Sequence, residues 1–258
     1  APFPQLVGRA QAALGVALLA LGRPAEAAKA FTAALLEGVG PLAALGLGTA
    51  QLAQSQWDPA RGLLTDARDA GTAPIAAAAE YGLAVVAFHK GAPTDFKKLA
   101  LAALAAAPTA RSAPRLLYVL TGIAVGEKDW PGALDLAKRF VAEFPRDDAA
   151  DDALERVGAG AAAAGAWPVA YEAYAELRQR FPKSPFVEPS RFVFAEAQLE
   201  TGRAAGGRQE LEKFLASPPA GAKLTRAWLM LARAREAAGD RSGALEAYAR
   251  AARGGRGP

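Results

Sequence analysis

The 258-residue sequence predicts an all-α fold, a solenoid of about seven helical hairpins stacked in series. Alanine supplies most of the apolar residues, and it favours helices because it loses no side-chain entropy there and offers little to a strand. A pattern of about 35 residues also recurs along the chain. Glycine and proline fall at fixed places within that pattern, where helices turn or end.

The composition is that of a folded chain with a mildly basic surface. Hydrophobic residues make up 52% of the sequence and charged residues 22%, which is enough apolar material for a core. The formal net charge is +4, and the basic residues are scattered without a long run of like charges. We therefore expect no nucleic-acid partner. No stretch is long and apolar enough to span a membrane, so we expect membrane contact only through a lipid anchor or signal that has been removed.

The recurring pattern is clearest in three segments. Each has an aliphatic residue followed by a small one, then a turn glycine, then apolar residues at fixed intervals on a second helix. The first copy contains Leu14-Gly15, Gly22, Ala27, Phe31 and Ala34. The other two contain Val157-Gly158, Gly165, Ala170, Tyr174 and Leu177, and Leu231-Ala232, Gly239, Ala244, Tyr248 and Ala251. Weaker copies lie between them, around Trp57, Gly82, Trp130 and Gly202.

These residues resemble the tetratricopeptide repeat family over roughly residues 5–253. The resemblance implies a right-handed α–α superhelix in which each unit is a pair of antiparallel helices. A single pair cannot bury its apolar face, so neighbouring pairs must share a core. We expect Gly15, Gly48, Gly82 and Gly158, on the first helices, to let the partner backbone approach closely. The resemblance also implies a concave groove, lined by the first helices, for a peptide or a partner helix.

Glycines and prolines mark the expected helix ends. We expect hairpin turns at Gly22, Gly165, Gly202 and Gly239, and ends of second helices at Pro145, Pro182 and Pro219. Asp58-Pro59 and Ser184-Pro185 each predict a helix start with a capping side chain before proline. The third unit departs from the pattern, because residues 89–94 stand where a short glycine turn is expected.

A linker containing two prolines, at residues 107–114, is the expected place of a break between two parts of the chain. We expect the first three repeats over residues 5–108 and the remaining four over residues 112–253. The last residues, 254–258, contain three glycines and predict a flexible tail.

Side chains for catalysis or metal binding do not come together in the sequence. There is no cysteine, and His89 is the only histidine. No Gly-x-Ser-x-Gly elbow or phosphate-binding loop is present, and the acidic run at 147–152 lacks calcium-loop spacing. Trp57, Trp130 and Trp167 open or precede second helices, and we interpret them as packing between units. The sequence therefore predicts a protein that is not an enzyme and holds no metal and no cofactor.

The tetratricopeptide resemblance places candidate partner-binding residues on the first helices. In the C-terminal half these groove-facing positions are Arg115, Tyr118, Glu155, Phe192, Glu196, Arg226, Leu229 and Arg233. Arginine and aromatic residues dominate the binding energy of interfaces, and glutamate fixes register. Because the chain has no asparagine, it cannot build the asparagine–lysine clamp with which some family members hold a terminal carboxylate.

The predicted function is a non-catalytic scaffold that binds a peptide or partner protein in the concave groove. The spacing of 36–37 residues and the endings Phe144-Pro145 and Phe181-Pro182 are similar to those of bacterial envelope proteins. The envelope proteins that the sequence resembles in this way are the lipoprotein of the outer-membrane β-barrel assembly machine and the Tol–Pal-associated coordinator. This likeness predicts a role in envelope assembly at the periplasm or outer membrane, with the cytoplasm as the alternative location. The alternative function is a structural solenoid segment of a larger chain, or a self-associating homodimer, with no peptide groove in use.

Overall fold

The computed structural model describes residues 4–218 and 224–254. These two ranges contain fourteen α-helices and no β-strand, so the predicted all-α class is confirmed. The chain divides into two compact units, residues 1–116 and residues 117–258. Within the described ranges, no helix has both the length and the apolar character needed to cross a membrane.

The first unit contains six complete helices and the start of a seventh. They are α1 (Pro4–Ala20), α2 (Pro24–Leu36), α3 (Gly40–Leu52), α4 (Trp57–Ala70), α5 (Ala73–His89), α6 (Pro93–Ala106) and the first residues of α7 (Ala113–Gly126). Each odd-numbered helix packs against the even-numbered helix that follows it, and α1, α3 and α5 also contact one another in that order. The first three repeats are therefore three hairpins whose first helices lie side by side.

The second unit repeats the same arrangement. After the rest of α7 come α8 (Trp130–Glu143), α9 (Ala150–Ala163), α10 (Trp167–Arg180), α11 (Arg191–Glu200), α12 (Ala204–Ala216), α13 (Leu224–Ala237) and α14 (Arg241–Ala252). The first helices α9, α11 and α13 again contact one another in order. With the pair α7–α8, whose Tyr118 and Phe140 rings lie 6.5 Å apart, the described residues form the seven predicted hairpins.

The turn inside every hairpin has one left-handed residue. It is glycine in five hairpins, with φ between +66° and +79° at Gly22, Gly91, Gly165, Gly202 and Gly239. In each of these turns the N–H of the next residue donates to a carbonyl five residues back, as Arg23 does to Leu18 and Ala92 to Ala87. This bond is the helix-ending pattern that a left-handed residue allows. The third hairpin has this turn at Gly91, so the predicted departure of the third unit is wrong.

Two turns achieve the same geometry without glycine. Ser55 has a φ of +59° and Lys128 a φ of +60°, and the residues after them, Gln56 and Asp129, donate to Gln51 and Ala124. The left-handed residues therefore recur every 36 or 37 residues from Ser55 to Gly239. Serine and lysine rarely adopt this conformation, because a side chain makes it costlier than it is for glycine. The sequence of these two turns therefore does not predict their left-handed residue.

Glycines of the first helices make room for large side chains of the second helices. The ring of Phe31, on α2, lies where a Cβ of Gly15 or Gly46 would be, at 2.7 Å and 2.2 Å. The side chain of Leu64, on α4, lies 2.8 Å from the position of a Cβ on Gly48. The sequence correctly marks Gly15 and Gly48 as sites of close approach. What approaches most closely is a ring or an aliphatic side chain; at Gly48 the backbone carbonyl of Ala60 also lies 3.5 Å from the Cβ position.

The predicted ends of the second helices are confirmed where the structure describes them. α8 ends at Glu143 and α10 at Arg180, each two residues before a proline, Pro145 or Pro182. Pro219 and residues 255–258 of the predicted tail lie outside the described residues. The linker before α7 runs over residues 107–112. The boundary between the two compact units falls four residues later along the chain, between Leu116 and Leu117.

Two predicted helix starts are wrong. α4 begins at Trp57, so Asp58 lies inside its first turn, where its carboxylate pairs with the ammonium of Lys90 instead of capping the helix. Ser184 lies in a run of turns over residues 182–190, and α11 begins only at Arg191. The Ser184 hydroxyl accepts a hydrogen bond from the N–H of Phe186 at 3.2 Å, which is a turn interaction of serine and not a helix cap.

Candidate binding groove of the second unit

A concave cavity of about 850 Å³ opens between the first helices of the second unit. Its walls come from α9, from the turn at residues 164–165, from α10 and α11, and from the start of α13. Small side chains on α9 and aromatic side chains opposite them leave the space open. We call this the α9–α13 groove; its principal lining residues are Glu155, Ala159, Ala162, Trp167, Tyr174, Phe186, Pro189, Phe192, Val193, Glu196 and Arg226.

One wall of the α9–α13 groove is the segment 181–190, which Arg178 holds in place. The Arg178 guanidinium donates to the carbonyl of Val187 at 2.9 Å and to the hydroxyl of Ser190 at 3.2 Å. The Ser190 hydroxyl in turn donates to the carbonyl of Phe186 at 2.7 Å. The guanidinium carbon also lies 4.2 Å from the ring centroid of Phe194. This network fixes the backbone that presents Phe186 and Pro189 to the groove.

Burial lowers the pKa of the Arg178 guanidinium, and the carboxylate of Glu210 opposes that shift. An arginine stays protonated at neutral pH even so, because its ordinary pKa lies so far above 7. The buried charge is matched by two backbone carbonyls, Val187 and Tyr174, and by an aromatic face. The segment is therefore tied to α10 by a partly buried charged group.

An ion pair crosses the groove between α11 and α13. The Arg226 guanidinium donates to the Glu196 carboxylate, whose side chain is 10% exposed. The guanidinium carbon of Arg226 also lies 5.8 Å from the ring centroid of Phe192. Arg226 itself keeps 51% of its side chain exposed, so this pair has one buried and one solvated partner. The negative charge of Glu196 is therefore neutralised within the groove.

The carboxylate of Glu155 has no such partner. Within the described residues it makes no hydrogen bond or ion pair, although it is half-buried. Burial, together with the nearby carboxylate of Asp152, raises its pKa, and Arg156 opposes that shift. The Tyr174 hydroxyl lines the same cavity; burial first, and then the charge of Glu155, raises its pKa. The groove thus holds one unneutralised acidic group and a phenol that remains protonated at neutral pH.

The structure brings together four of the eight residues predicted from the sequence. Glu155, Phe192, Glu196 and Arg226 line the α9–α13 groove. They come from three consecutive first helices, as placement on the tetratricopeptide template implies.

The other four residues lie elsewhere. Tyr118 donates to the carboxylate of Asp152 and accepts from Arg156, whose guanidinium carbon lies 4.7 Å from its ring. Leu229 and Arg233 are on α13 but do not line the cavity, and Arg115 is an exposed residue of the first unit. The Tyr118 cluster is held by internal contacts, so its polar groups are already satisfied.

Three aromatic groove residues do not follow from the sequence as ligand-contacting positions. Trp167 opens α10 and packs against the core of Ala161, Ala170 and Ala197, which joins two hairpins as predicted, but it also lines the cavity. Tyr174 packs its ring against Gly158 and also lines the cavity. Phe186 lies in an irregular segment with no periodicity to place it. Repeat spacing identifies core aromatics, and it does not show which of them also border a cavity.

Across residues 4–218 and 224–254, no group of three or more histidine or acidic side chains could hold a metal ion. No curated protein sequence matches the chain. A family model, described as the tetratricopeptide repeat, matches residues 6–44 and 45–111. The comparisons with solved structures extend this likeness in fold beyond residue 111.

Three solved structures share the fold over most of the chain. The C-terminal part of a tetratricopeptide repeat protein from Cytophaga hutchinsonii has a TM-score of 0.56 at 14% identity, covering 92% of each chain. A tetratricopeptide repeat protein from Parabacteroides merdae has a TM-score of 0.53 at 14% identity, covering 97% of this chain and 94% of its own. YrrB, described as a tetratricopeptide repeat protein with an unusual peptide-binding site, has a TM-score of 0.52 at 19% identity, covering 85% and 98%. The chain therefore matches the tetratricopeptide repeat family model over residues 6–111, and both units share their fold with solved tetratricopeptide repeat proteins.

Proposed function

We propose that this chain is a non-catalytic protein–protein interaction scaffold and that the α9–α13 groove binds an extended peptide segment of a partner protein. One observation carries the proposal. Side chains from three consecutive first helices, α9, α11 and α13, converge on a single concave cavity of about 850 Å³. A cavity of this size with aromatic walls and a few polar groups is typical of a ligand site.

The walls of the groove are suited to a peptide. Trp167, Phe186 and Phe192 offer apolar area, and the Glu196–Arg226 pair offers hydrogen-bonding groups beside it. Interfaces concentrate their binding energy in such clusters of aromatic residues and arginine. YrrB, which shares the fold, is described as having a peptide-binding site, and this supports the same use of the fold here.

The proposal predicts that peptides selected on the chain from a displayed random library bind through the groove. Replacing Phe192 by leucine and Arg226 by alanine together is expected to weaken their Kd about 10-fold or more, since hot-spot side chains each contribute about 1–2 kcal/mol. Fluorescence anisotropy with labelled peptides measures the change. Leucine keeps an apolar contact with Phe214, whose ring lies 5.4 Å from that of Phe192, so the fold is retained.

Arg233→Ala is the matched control, because Arg233 is an exposed arginine on the same helix that does not line the cavity. It is expected to leave the Kd unchanged. Thermal melts of all variants report whether the fold is intact. If the selected peptides bind the wild type and the Phe192/Arg226 variant equally well, they do not bind in the groove, and the proposed groove function is wrong.

The alternative is a solenoid that self-associates and uses no groove. One observation favours it. The helix α1 exposes Leu6 and Leu14 on one face, at 60% and 50%, and Leu21, directly after the helix, is 70% exposed. If this face joins two copies, light scattering gives a dimer that dissociates on dilution and is absent from Leu14→Glu. If the groove function alone holds, both proteins are monomers at every concentration measured.

We also propose a place for the chain in the bacterial envelope, as part of an assembly scaffold in the periplasm or at the outer membrane. Its support is the 37-residue spacing of the left-handed turn residues from Gly91 to Gly239, with Phe-Pro after α8 and α10. Fractionation of cells expressing the full-length gene product tests the location. A product found only in the cytoplasmic fraction rules it out.

A further inference from the structure

The inference deepens the proposed function and rests on it. We propose that the peptide bound in the α9–α13 groove presents a lysine or arginine side chain, and that the cationic group is held by the Glu155 carboxylate beside the Tyr174 hydroxyl. The apolar stem and the neighbouring residues of the peptide then lie against Phe186, Trp167 and Phe192. The class of ligand is therefore a basic, partly apolar extended segment.

The balance of charge within the groove selects a cation. Of the three charged side chains that line it, Glu196 and Arg226 neutralise each other. Glu155 is left, half-buried and without a hydrogen bond or ion pair from any described residue. The nearby Asp152 and Arg156 pair with each other and both bond to Tyr118, so neither of them neutralises Glu155. An acidic peptide would meet repulsion here, and a cationic side chain would find a free acceptor.

Partial burial makes the Glu155 carboxylate selective for a cationic group. A carboxylate that is partly removed from water without a partner destabilises its surroundings, and a bound cation restores the missing interaction. The Tyr174 hydroxyl, which makes no hydrogen bond with another described residue, offers a second oxygen in the same cavity. Two oxygen acceptors in one largely apolar cavity match the donors of an ammonium or guanidinium group.

The aromatic walls suit the rest of a basic side chain. Lysine and arginine lay their methylene stems along apolar surface while the charged end finds polar partners. Arginine also stacks on aromatic faces. The groove already contains one instance, because Arg226 lies over Phe192. Trp167 and Phe186 also line the cavity, and within the described part of the chain no cation lies over either ring.

The test uses peptides with acetylated N-termini and amidated C-termini, so that only side chains carry charge. A random library of these peptides is selected separately on the wild type, on Glu155→Gln and on Glu200→Gln. We expect the wild type and Glu200→Gln to enrich lysine or arginine at one fixed position, and Glu155→Gln to lose that enrichment while keeping the apolar positions. Glu200 is the control, because it is an exposed glutamate on α11 outside the cavity.

A mutant cycle then assigns the contact. Replacing the basic residue of the best peptide by glutamine is expected to weaken its Kd about 10-fold or more on the wild type and about 2-fold or less on Glu155→Gln. Tyr174→Phe keeps the ring against Gly158 and removes only the hydroxyl, so it is expected to weaken binding about 3-fold. Thermal melts confirm that each variant is folded.

The outcomes separate the two proposals. If the wild type enriches peptides without a basic position, and Phe192→Leu with Arg226→Ala still weakens their binding about 10-fold or more, the groove function stands and the cationic ligand is overturned. If enriched peptides ignore that double replacement, or if no peptide is enriched, both are overturned. A mutant cycle with equal losses on wild type and Glu155→Gln also overturns the assignment to Glu155.

Discussion

Replacing Phe31 by alanine is expected to lower the free energy of unfolding of the first unit by about 3–5 kcal/mol, as truncating a buried phenylalanine does. The side chain is 1% exposed and belongs to the core formed by α1, α2 and α3. Its ring fills the space left by Gly15 on α1 and Gly46 on α3. The loss therefore loosens two adjacent hairpins rather than one. Hydrogen exchange of peptides from α2 and α3, measured at increasing urea concentration, gives the change in the free energy of unfolding of this unit.

The complementary variant, Gly46→Ala, tests the same contact from the other side. An added Cβ would lie 2.2 Å from the Phe31 ring, so the variant is expected to lose about 1–3 kcal/mol. Combined with Phe31→Leu, which frees space at the ring, the loss is expected to be less than the sum of the two single losses. Gly62→Ala is the control, because Gly62 is an exposed position within α4 with nothing within 4 Å of the added Cβ. It is expected to stabilise by up to about 1 kcal/mol. Strict additivity at Gly46 and Phe31 would contradict the packing described here.

Arg178→Ala is expected to have the second largest effect, a loss of about 2–4 kcal/mol from the second unit, because buried polar groups lose a charged partner. The carbonyl of Val187 and the hydroxyl of Ser190 would lose their donors, and the ring of Phe194 its cation. The segment 181–190 is then expected to exchange its amide hydrogens faster. Urea unfolding followed by hydrogen exchange of this segment measures both effects.

The control for Arg178 lies one half-turn further along the same helix. Arg180 pairs with Glu176 at the surface, with 43% of its side chain exposed, and such pairs contribute at most about 1 kcal/mol. Arg180→Ala is therefore expected to unfold almost as the wild type does. Equal losses for the two variants would show that Arg178 holds the segment no better than a surface ion pair would.

The sequence predicts the hairpins well, because their turns and contacts are local. Gly22 and Gly165 mark turns that the structure confirms by their positive φ. Ser55 and Lys128 adopt the same conformation, and no sequence signal predicts it, since residues with side chains rarely do. The left-handed state is imposed there by the helices on either side. In these two hairpins packing overrides local preference.

The groove is harder to predict, because it depends on contacts between units. The family template correctly groups Glu155 with Glu196 and Arg226, since first helices follow one another at regular spacing. It cannot place Phe186, because the segment 181–190 has no periodicity and is held by Arg178 from another element. Nor does spacing show that Glu155 lacks a partner. That property follows only from the positions of every charged side chain around it.

The ring of Phe31 also limits how the repeats can be rearranged. It belongs to one hairpin, yet half of the recess that receives it, at Gly46, belongs to the next. Leu64 stands in the same relation to Gly48 and Gly82. The first and the second hairpin are therefore each shaped to fit the hairpin that follows. Exchanging or deleting one of these hairpins would bring together surfaces whose side chains do not fit, so side-chain shape constrains the order of the first three hairpins.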